Sequence, residues 1–400
     1  MKTRSTEKID IVEARKDTPG VQNKIHFNNA GASLMPQPVI DAVIGHLQLE
    51  AKIGGYEAAD QSIAATEHTY EAIARLINCH ADEVAIIENA TRAWDMAFYS
   101  MSFKPGDRIL TALAEYVSNY IAFLQVQRRT GVKIDVIPND ESGQLSIDAL
   151  KRVIDDRVKL IAITHVPTNG GLVNPAVAVG QIARAANILY LLDACQSVGQ
   201  MPIDVEEIGC DILSATGRKY LRGPRGTGFL YVRKSILESL EPPFLDLQAA
   251  DWVSRDQYTI RPDAKRFENW ECYVAGKIGL GAAVDYALAW GLEAIEERVV
   301  MLADKLRTSL SIIPRVMVCD QGQIKCGIVT FTVLEIPATQ IQAKLAGKDI
   351  NTSVSKLAYA RLDMEDRGLD ELVRASVHYY NTEEEITQFC RELEDVISTC

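Results

Sequence analysis

Ser214-Ala215-Thr216-Gly217-Arg218-Lys219 runs on into Tyr220-Leu221-Arg222-Gly223-Pro224-Arg225-Gly226-Thr227-Gly228-Phe229-Leu230-Tyr231-Val232. A small-residue turn delivers one lysine, a glycine-rich turn follows, and then a strand. An apolar strand at residues 211–213 gives out shortly before Lys219, which predicts a partly desolvated amine. Desolvation disfavours the ammonium form and suits a lysine to Schiff-base or proton-transfer chemistry. Taken alone, the segment also fits a surface lysine in a turn beside two arginines.

The residues upstream decide between the two. Leu189-Tyr190-Leu191-Leu192 has the length of a buried parallel strand. It ends in Asp193-Ala194-Cys195-Gln196-Ser197. An acid at the end of a buried strand is costly unless it meets a cation. A pyridinium nitrogen is such a cation. An aspartate there, with a lysine one strand later, is what a pyridoxal 5'-phosphate enzyme needs. The lysine holds the aldehyde, and the acid keeps the ring able to take up carbanion electrons.

The chain resembles the class V aminotransferases, of the fold-type I pyridoxal phosphate enzymes. That family includes cysteine desulfurases, kynureninase, isopenicillin N epimerase-like proteins and hercynylcysteine sulfoxide lyase-like proteins. The likeness runs from His26-Phe27-Asn28-Asn29-Ala30-Gly31 to Tyr379-Tyr380-Asn381-Thr382. It is sharpest in Asp193-x-x-Gln196 and Lys219-x-x-x-Gly223-Pro224-x-Gly226-x-Gly228. Val166-Pro167-Thr168-Asn169-Gly170-Gly171, Arg266-Phe267-Glu268 and Ser376-Val377-His378-Tyr379-Tyr380-Asn381 look most like the epimerase-like and sulfoxide lyase-like branch.

Composition bounds the rest. A chain of 400 residues accommodates two domains. A net charge of −12 argues against nucleic acid as a partner. No window has the apolar run of a membrane helix, and the first twenty residues lack a secretory apolar core. Eight scattered cysteines read as thiols of a cytoplasmic protein, with no metal site.

Strands and helices alternate through the first two thirds of the chain, which predicts an α/β fold with a mostly parallel sheet and helices on both faces. The resemblance makes this an aspartate aminotransferase-like, seven-stranded sheet with a smaller C-terminal α+β domain. The expected divisions are an N-terminal arm and substrate-side loop at 1–35, a large cofactor domain at 36–290 and a small domain at 291–400. Residues 1–22 read as irregular, 58–77 as one helix, and 244–263 as a loop.

Ligands in such sheets bind at the C-terminal strand ends, and the candidate residues cluster there. Asn89-Ala90-Thr91-Arg92 turns strand into helix, so Ala90, Thr91 and Arg92 are phosphate candidates at a helix N-terminus. An ordinary N-cap is the plain alternative. Tyr116 sits where relatives stack an aromatic side chain, often histidine, on the pyridine ring. It stacks as well but lacks the imidazole's acid–base chemistry. Thr168 matches the residue that bonds the cofactor's phenolic oxygen, with Asn169 the adjacent alternative. The resemblance implies that Asp193 and Gln196 meet the ring and that Thr216 and Arg218 meet the phosphate. Trp270 stands where relatives carry a contact across a dimer interface, although Glu271 beside it would repel phosphate. Asn28 and Asn29 are substrate candidates or turn caps. Arg374, inside an apolar strand, is expected to pair a substrate carboxylate, or else an internal acid.

These residues specify the cofactor more closely than the reaction. Lys219 would remove a Cα proton, with Asp193 and Tyr116 completing the catalytic group. The preferred reading is a lyase breaking the Cβ–S bond of a cysteine-derived amino acid, working as a homodimer. Transamination and epimerisation follow, and a non-catalytic binding protein on the same fold is the reading from another class. Cysteine desulfurases that pass on a persulfide need a mobile cysteine shortly before the substrate arginine. Residues 353–372 contain none.

Overall fold

The computed structural model describes residues 9–399. Its central sheet has seven strands: β1 (Val84–Ile87), β2 (Arg108–Ala112), β3 (Lys133–Ile137), β4 (Val158–Thr164), β5 (Leu189–Asp193), β6 (Ile212–Thr216) and β7 (Gly228–Val232). They lie in the order β1-β7-β6-β5-β4-β2-β3. β7 runs antiparallel to both of its neighbours, and every other pair is parallel. The fold is the α/β, mostly parallel arrangement expected.

Successive side chains of a strand face opposite sides of a sheet. Here that alternation builds two cores. Tyr190, Leu192, Leu213, Ala215 and Phe229 pack on one side, with Leu280 and Val284 of a long helix. Leu160, Leu191, Ile212 and Leu230 pack on the other, against Trp94, Phe98 and Phe123. Those three rings belong to α1 (Ala90–Phe98) and α2 (Val117–Thr130). Layers on both faces leave the strand ends as the place for an open site.

The C-terminal third adds a four-stranded antiparallel sheet. Its strands are β8 (Val316–Val318), β9 (Ile328–Val333), β10 (Ser353–Lys356) and β11 (Glu371–Ser376), in the order β8-β9-β11-β10. The N-terminal segment is sewn into this part. Ile25–His26 pairs in parallel with Ile350–Asn351, and Asn28 bridges to Ser376.

Some local expectations need correction. Residues 1–8 of the expected irregular arm lie outside the described residues, but Ile11–Lys16 is a helix, capped by the Asp10 side chain on the Glu13 N–H. The expected helix at 58–77 is two, Gly55–Gln61 and Ile63–Ile77. Ser62 divides them, and its hydroxyl bonds His46 Nδ1 at 3.1 Å. The strand before the lysine runs on through Ser214 and Thr216, polar residues that are buried and carried by ladder pairing with β7. Residues 250–260, expected as loop, contain an antiparallel hairpin, Ala250–Ser254 with Gln257–Ile260. Its Trp252 and Tyr258 are exposed, so no buried stripe marks it in the sequence.

The last helix, Glu383–Ser398, carries the capping box that Thr382-x-x-Glu385 predicts. Thr382 Oγ1 accepts from the Glu385 N–H at 3.2 Å, and Glu385 Oε2 accepts from the Thr382 N–H at 3.2 Å. Thr382→Ala should therefore destabilise the protein by about 1 kcal/mol. Chemical denaturation should show it as a lower midpoint at unchanged slope.

Candidate active site

Five loops at the C-terminal strand ends enclose a cavity of about 530 Å³. Ala90, Thr91, Tyr116, Thr168, Asp193, Gln196, Thr216, Arg218 and Lys219 all line it. The topology brings together residues from Ala90 to Lys219 because β1, β7, β6, β5, β4 and β2 stand side by side.

Lys219 follows β6 by three residues and is half-buried. Burial lowers its pKa from the usual lysine value. Cys195 and Asp193 oppose the shift, while Arg218 and Arg374 reinforce it. The loop is held from behind, where buried His378 Nε2 meets the Tyr220 carbonyl at 2.9 Å. Ser33 N–H donates to the Arg218 carbonyl at 2.9 Å, joining the N-terminal segment to the same loop.

Asp193, at the end of β5, is 5% exposed. Its Oδ1 accepts from the Cys195 N–H at 3.0 Å and its Oδ2 from Asn119 Nδ2 at 3.0 Å. Gln196 donates from Nε2 to the Ala30 carbonyl at 3.1 Å and to Thr168 Oγ1 at 3.5 Å. Gln196 Oε1 is buried with no partner in the protein.

One end of the cavity is suited to an anion. α1 begins at Ala90, and Asn89 Oδ1 caps the Arg92 N–H at 3.0 Å. The first N–H groups of α1 have no intrahelical acceptor. Gly228 lets this terminus come close, since a Cβ there would lie 2.7 Å from the Ala215 carbonyl oxygen and 3.0 Å from the Asn89 carbonyl carbon. Arg218 donates to Thr216 Oγ1 at 2.8 Å on the same side.

Thr168 and Asn169, left open by the sequence, part company. Thr168 lines the cavity and its hydroxyl accepts from Arg374 and Gln196. Asn169 turns away and donates to Asp363 Oδ2 at 2.8 Å.

Arg374 rises from β11 beside the cavity and is 8% exposed. Its guanidinium reaches Thr168 and, at 3.4 Å, Asn28 Oδ1. Its Nε is buried and unpartnered. No described carboxylate pairs with it, which leaves the internal salt bridge unfilled. Burial, with Arg218 adding to it, lowers its pKa.

Three candidates stand elsewhere. The Asn29 side chain is saturated: Nδ2 donates to the Ser376 carbonyl at 2.7 Å and to the His26 carbonyl at 3.2 Å, and Oδ1 accepts from Tyr380 Oη. Such a residue has nothing to offer a substrate, and it braces the loop. Arg92 points outward to Glu88 at 3.4 Å and lies over the Phe244 ring. Trp270 is 52% exposed and lies in a surface groove with Tyr56 and Tyr273, outside the cavity. Sequence reading also passed over residues that reach the cavity, Asn89, Cys195, Glu115 and Ala360 among them. Glu115 and Asn119 are four apart at the mouth of a helix, a spacing that brings side chains together.

A flat, anionic cofactor with a cationic ring nitrogen fits these residues. Asp193 faces it as the buried acid, the start of α1 offers free N–H groups, and Gln196 Oε1 and Arg374 Nε lack partners that a cofactor and a carboxylate would supply. Pyridoxal phosphate has the required features.

The sequence model of the family described as "Aminotransferase class-V" matches residues 25–389. A probable cysteine desulfurase of Methanothermobacter thermautotrophicus is 29% identical over 391 residues, covering 96% of this chain and 97% of that protein. Another probable cysteine desulfurase, from Xylella fastidiosa, is 32% identical over 400 residues, covering 96% and 95%. Among solved structures, the apo cysteine desulfurase of Thermococcus onnurineus NA1 superposes with a TM-score of 0.91 at 26% identity, covering 99% of this chain and 100% of that one.

Proposed function

The chain belongs to the class V aminotransferase family of pyridoxal 5'-phosphate enzymes, and from that premise we propose that it is a lyase breaking the Cβ–S bond of a cysteine-derived amino acid. The observation that carries the amino-acid substrate is Arg374, a buried guanidinium without an acid. A substrate α-carboxylate is the planar anion that such a fork binds bidentately.

When bound, the cofactor supplies an electron-poor ring that takes up the electrons of a Cα carbanion. Asp193, as a carboxylate, would pair with a protonated ring nitrogen. Ala90 and Thr91 N–H groups, with Thr216 and Arg218, would hold the phosphate. Tyr116 covers one ring face. Arg374 fixes the substrate carboxylate, so that Cα lies within reach of Lys219. Lys219 Nζ, whose pKa burial lowers, would take the Cα proton. Loss of the Cα proton to Lys219 and of sulfur with the Cβ–S electron pair, followed by hydrolysis, would leave pyruvate and ammonia.

The fate of sulfur separates this reading from persulfide transfer. Residues 353–372 carry no cysteine. They form β10, a 3-10 turn and the helix Arg361–Asp366, with Ala360 at the cavity wall. The thiol that does line the cavity is Cys195, and burial pushes its pKa well up, which keeps it protonated and a poor nucleophile. The sulfur product is therefore expected to leave free in solution. Incubation with cysteine conjugates and cysteine sulfoxides, without any keto acid, should release pyruvate in step with cofactor loading. Turnover that requires a keto-acid acceptor and yields no pyruvate would replace the lyase by an aminotransferase.

The same reading makes the protein a cytoplasmic homodimer. Supporting it, the described cysteines are all free, no described helix is by itself long and apolar enough to cross a membrane, and Tyr56, Ile63, Trp270 and Tyr273 expose apolar surface along one groove. Trp270 would face the partner's phosphate from that groove.

A further inference from the structure

Two buried carboxyl groups meet at one amide beneath the cavity. Asn119 Nδ2 donates to Glu115 Oε1 at 2.9 Å and to Asp193 Oδ2 at 3.0 Å. The chemistry above uses Asp193 and leaves Glu115 without a task. Yet Glu115 is 4% exposed, and a lone buried acid is costly.

Its surroundings are built to hold it. Oε1 also accepts from Thr164 Oγ1 at 2.6 Å and from the Tyr116 N–H at 2.8 Å, and Oε2 accepts from Thr111 Oγ1 at 3.0 Å. These donors come from β2, β4 and α2 with its cap, and all are neutral. Asp193 is the charged group that faces Glu115, from β5. The Tyr116 phenol and His165 are the titratable neighbours along the chain. Burial raises the first and lowers the second, to about 4, so both are uncharged near neutral pH. Glu115 thus has a network of donors, no described ion pair, and one acid as its partner across a shared amide group, with Lys219 and Arg218 the cations that line the same cavity.

We propose that Glu115 is a positioning residue which, through Asn119, fixes the orientation of Asp193 and adds negative potential under the cation-binding end of the cavity. The inference rests on the cofactor reading above. Asn119 ties Oδ2 of Asp193 while the Cys195 N–H ties Oδ1, so the carboxylate that lines the cavity is held at both oxygens. A second carboxylate behind it strengthens the hold on a ring cation whenever Glu115 is ionised.

Burial pushes the Glu115 carboxyl up to about 7; Asp193 adds to the rise, and the Thr164, Asn119 and Tyr116 hydrogen bonds oppose it. Below that value Glu115 is neutral and Glu115→Gln reproduces it. Above that value the wild type carries a charge that the glutamine lacks. The sign is therefore fixed: the variant should fall behind the wild type only as pH rises.

The test titrates pyridoxal phosphate into apo-protein and reads the dissociation constant by absorbance, for wild type, Glu115→Gln and Asn119→Ser. Wild type and Glu115→Gln should bind equally at about pH 6, and wild type about tenfold tighter at about pH 8, as expected for charges coupled through a protein interior. Asn119→Ser should bind more weakly at both pH values, because Asp193 loses the tether that fixes it. A wild-type to Glu115→Gln ratio that stays flat with pH overturns the inference. Should Glu115→Gln fail to fold, an Asn119→Ser variant that binds as tightly as wild type at both pH values overturns it equally. Failure of the wild type itself to bind pyridoxal phosphate overturns the cofactor reading beneath it.

Discussion

Lys219→Ala should lower turnover on every amino-acid substrate by about a thousandfold or more, since it removes both the anchoring amine and the base at Cα. Lys219 lines the cavity with Asp193, Tyr116 and Thr168, and no other described lysine does. Two measurements separate this loss from misfolding. The thermal midpoint should stay close to wild type, because Lys219 makes no described ion pair whose loss would strand a charge. The visible absorbance of bound cofactor should change with the substitution, since it depends on the amine. In the wild type, the lowered lysine pKa sets a sign for the pH profile. The base is active when deprotonated, so the acid limb of kcat should lie below the range of a solvent lysine. An unchanged turnover in Lys219→Ala would end the proposal.

Arg374→Ala should raise KM for amino acids about a hundredfold, close to 3 kcal/mol, the upper range for charge-assisted bonds to a carboxylate. Stability should not fall with it. Arg374 is buried without an acid, so its guanidinium is a cost to the fold, and replacement should leave the melting temperature equal or higher. An arginine with a purely structural role would give the opposite pattern, a lower melting temperature at an unaltered KM. Arg374→Lys should recover only part of the affinity, because an ammonium cannot present a planar fork. Amines that lack the carboxylate should be indifferent to all three proteins, which assigns the effect to carboxylate recognition.

Much of this architecture was legible before any coordinates. β5 reads directly from Leu189-Tyr190-Leu191-Leu192-Asp193, because a doubly covered strand is apolar on both faces and its end must be polar. The capping box at Thr382 was legible for the same reason, as a local rule with a local cause. The hairpin at 250–260 was not, since its side chains are mostly exposed and carry no alternation. β10 was missed because Ser353-Val354-Ser355-Lys356 is short and half polar, and pairing with β11 alone makes it a strand. In the site, single residues at strand ends were visible one by one. Their partners were not: whether Thr168 or Asn169 enters the cavity depends on Asp363, and Glu115 gains its interest only from Asp193 across the sheet. Asn29 misleads for a related reason, since a polar residue in a loop near a site looks free until its partners at Ser376 and Tyr380 are seen.

The seam between Asn29 and Ser376 sets a condition on time. Its hydrogen bond joins residues 347 positions apart. A ribosome adding about 5–20 residues per second needs roughly 20 to 70 s to cross that interval. For most of that period the first described strand, Ile25–His26, also waits for Ile350–Asn351, and contacts of such span are the slow ones to form. The large sheet is complete by Val232, while Arg374 is still unmade. On the roles proposed above, the nascent chain acquires Lys219 and Asp193 well before Arg374, the residue proposed to grip the substrate carboxylate.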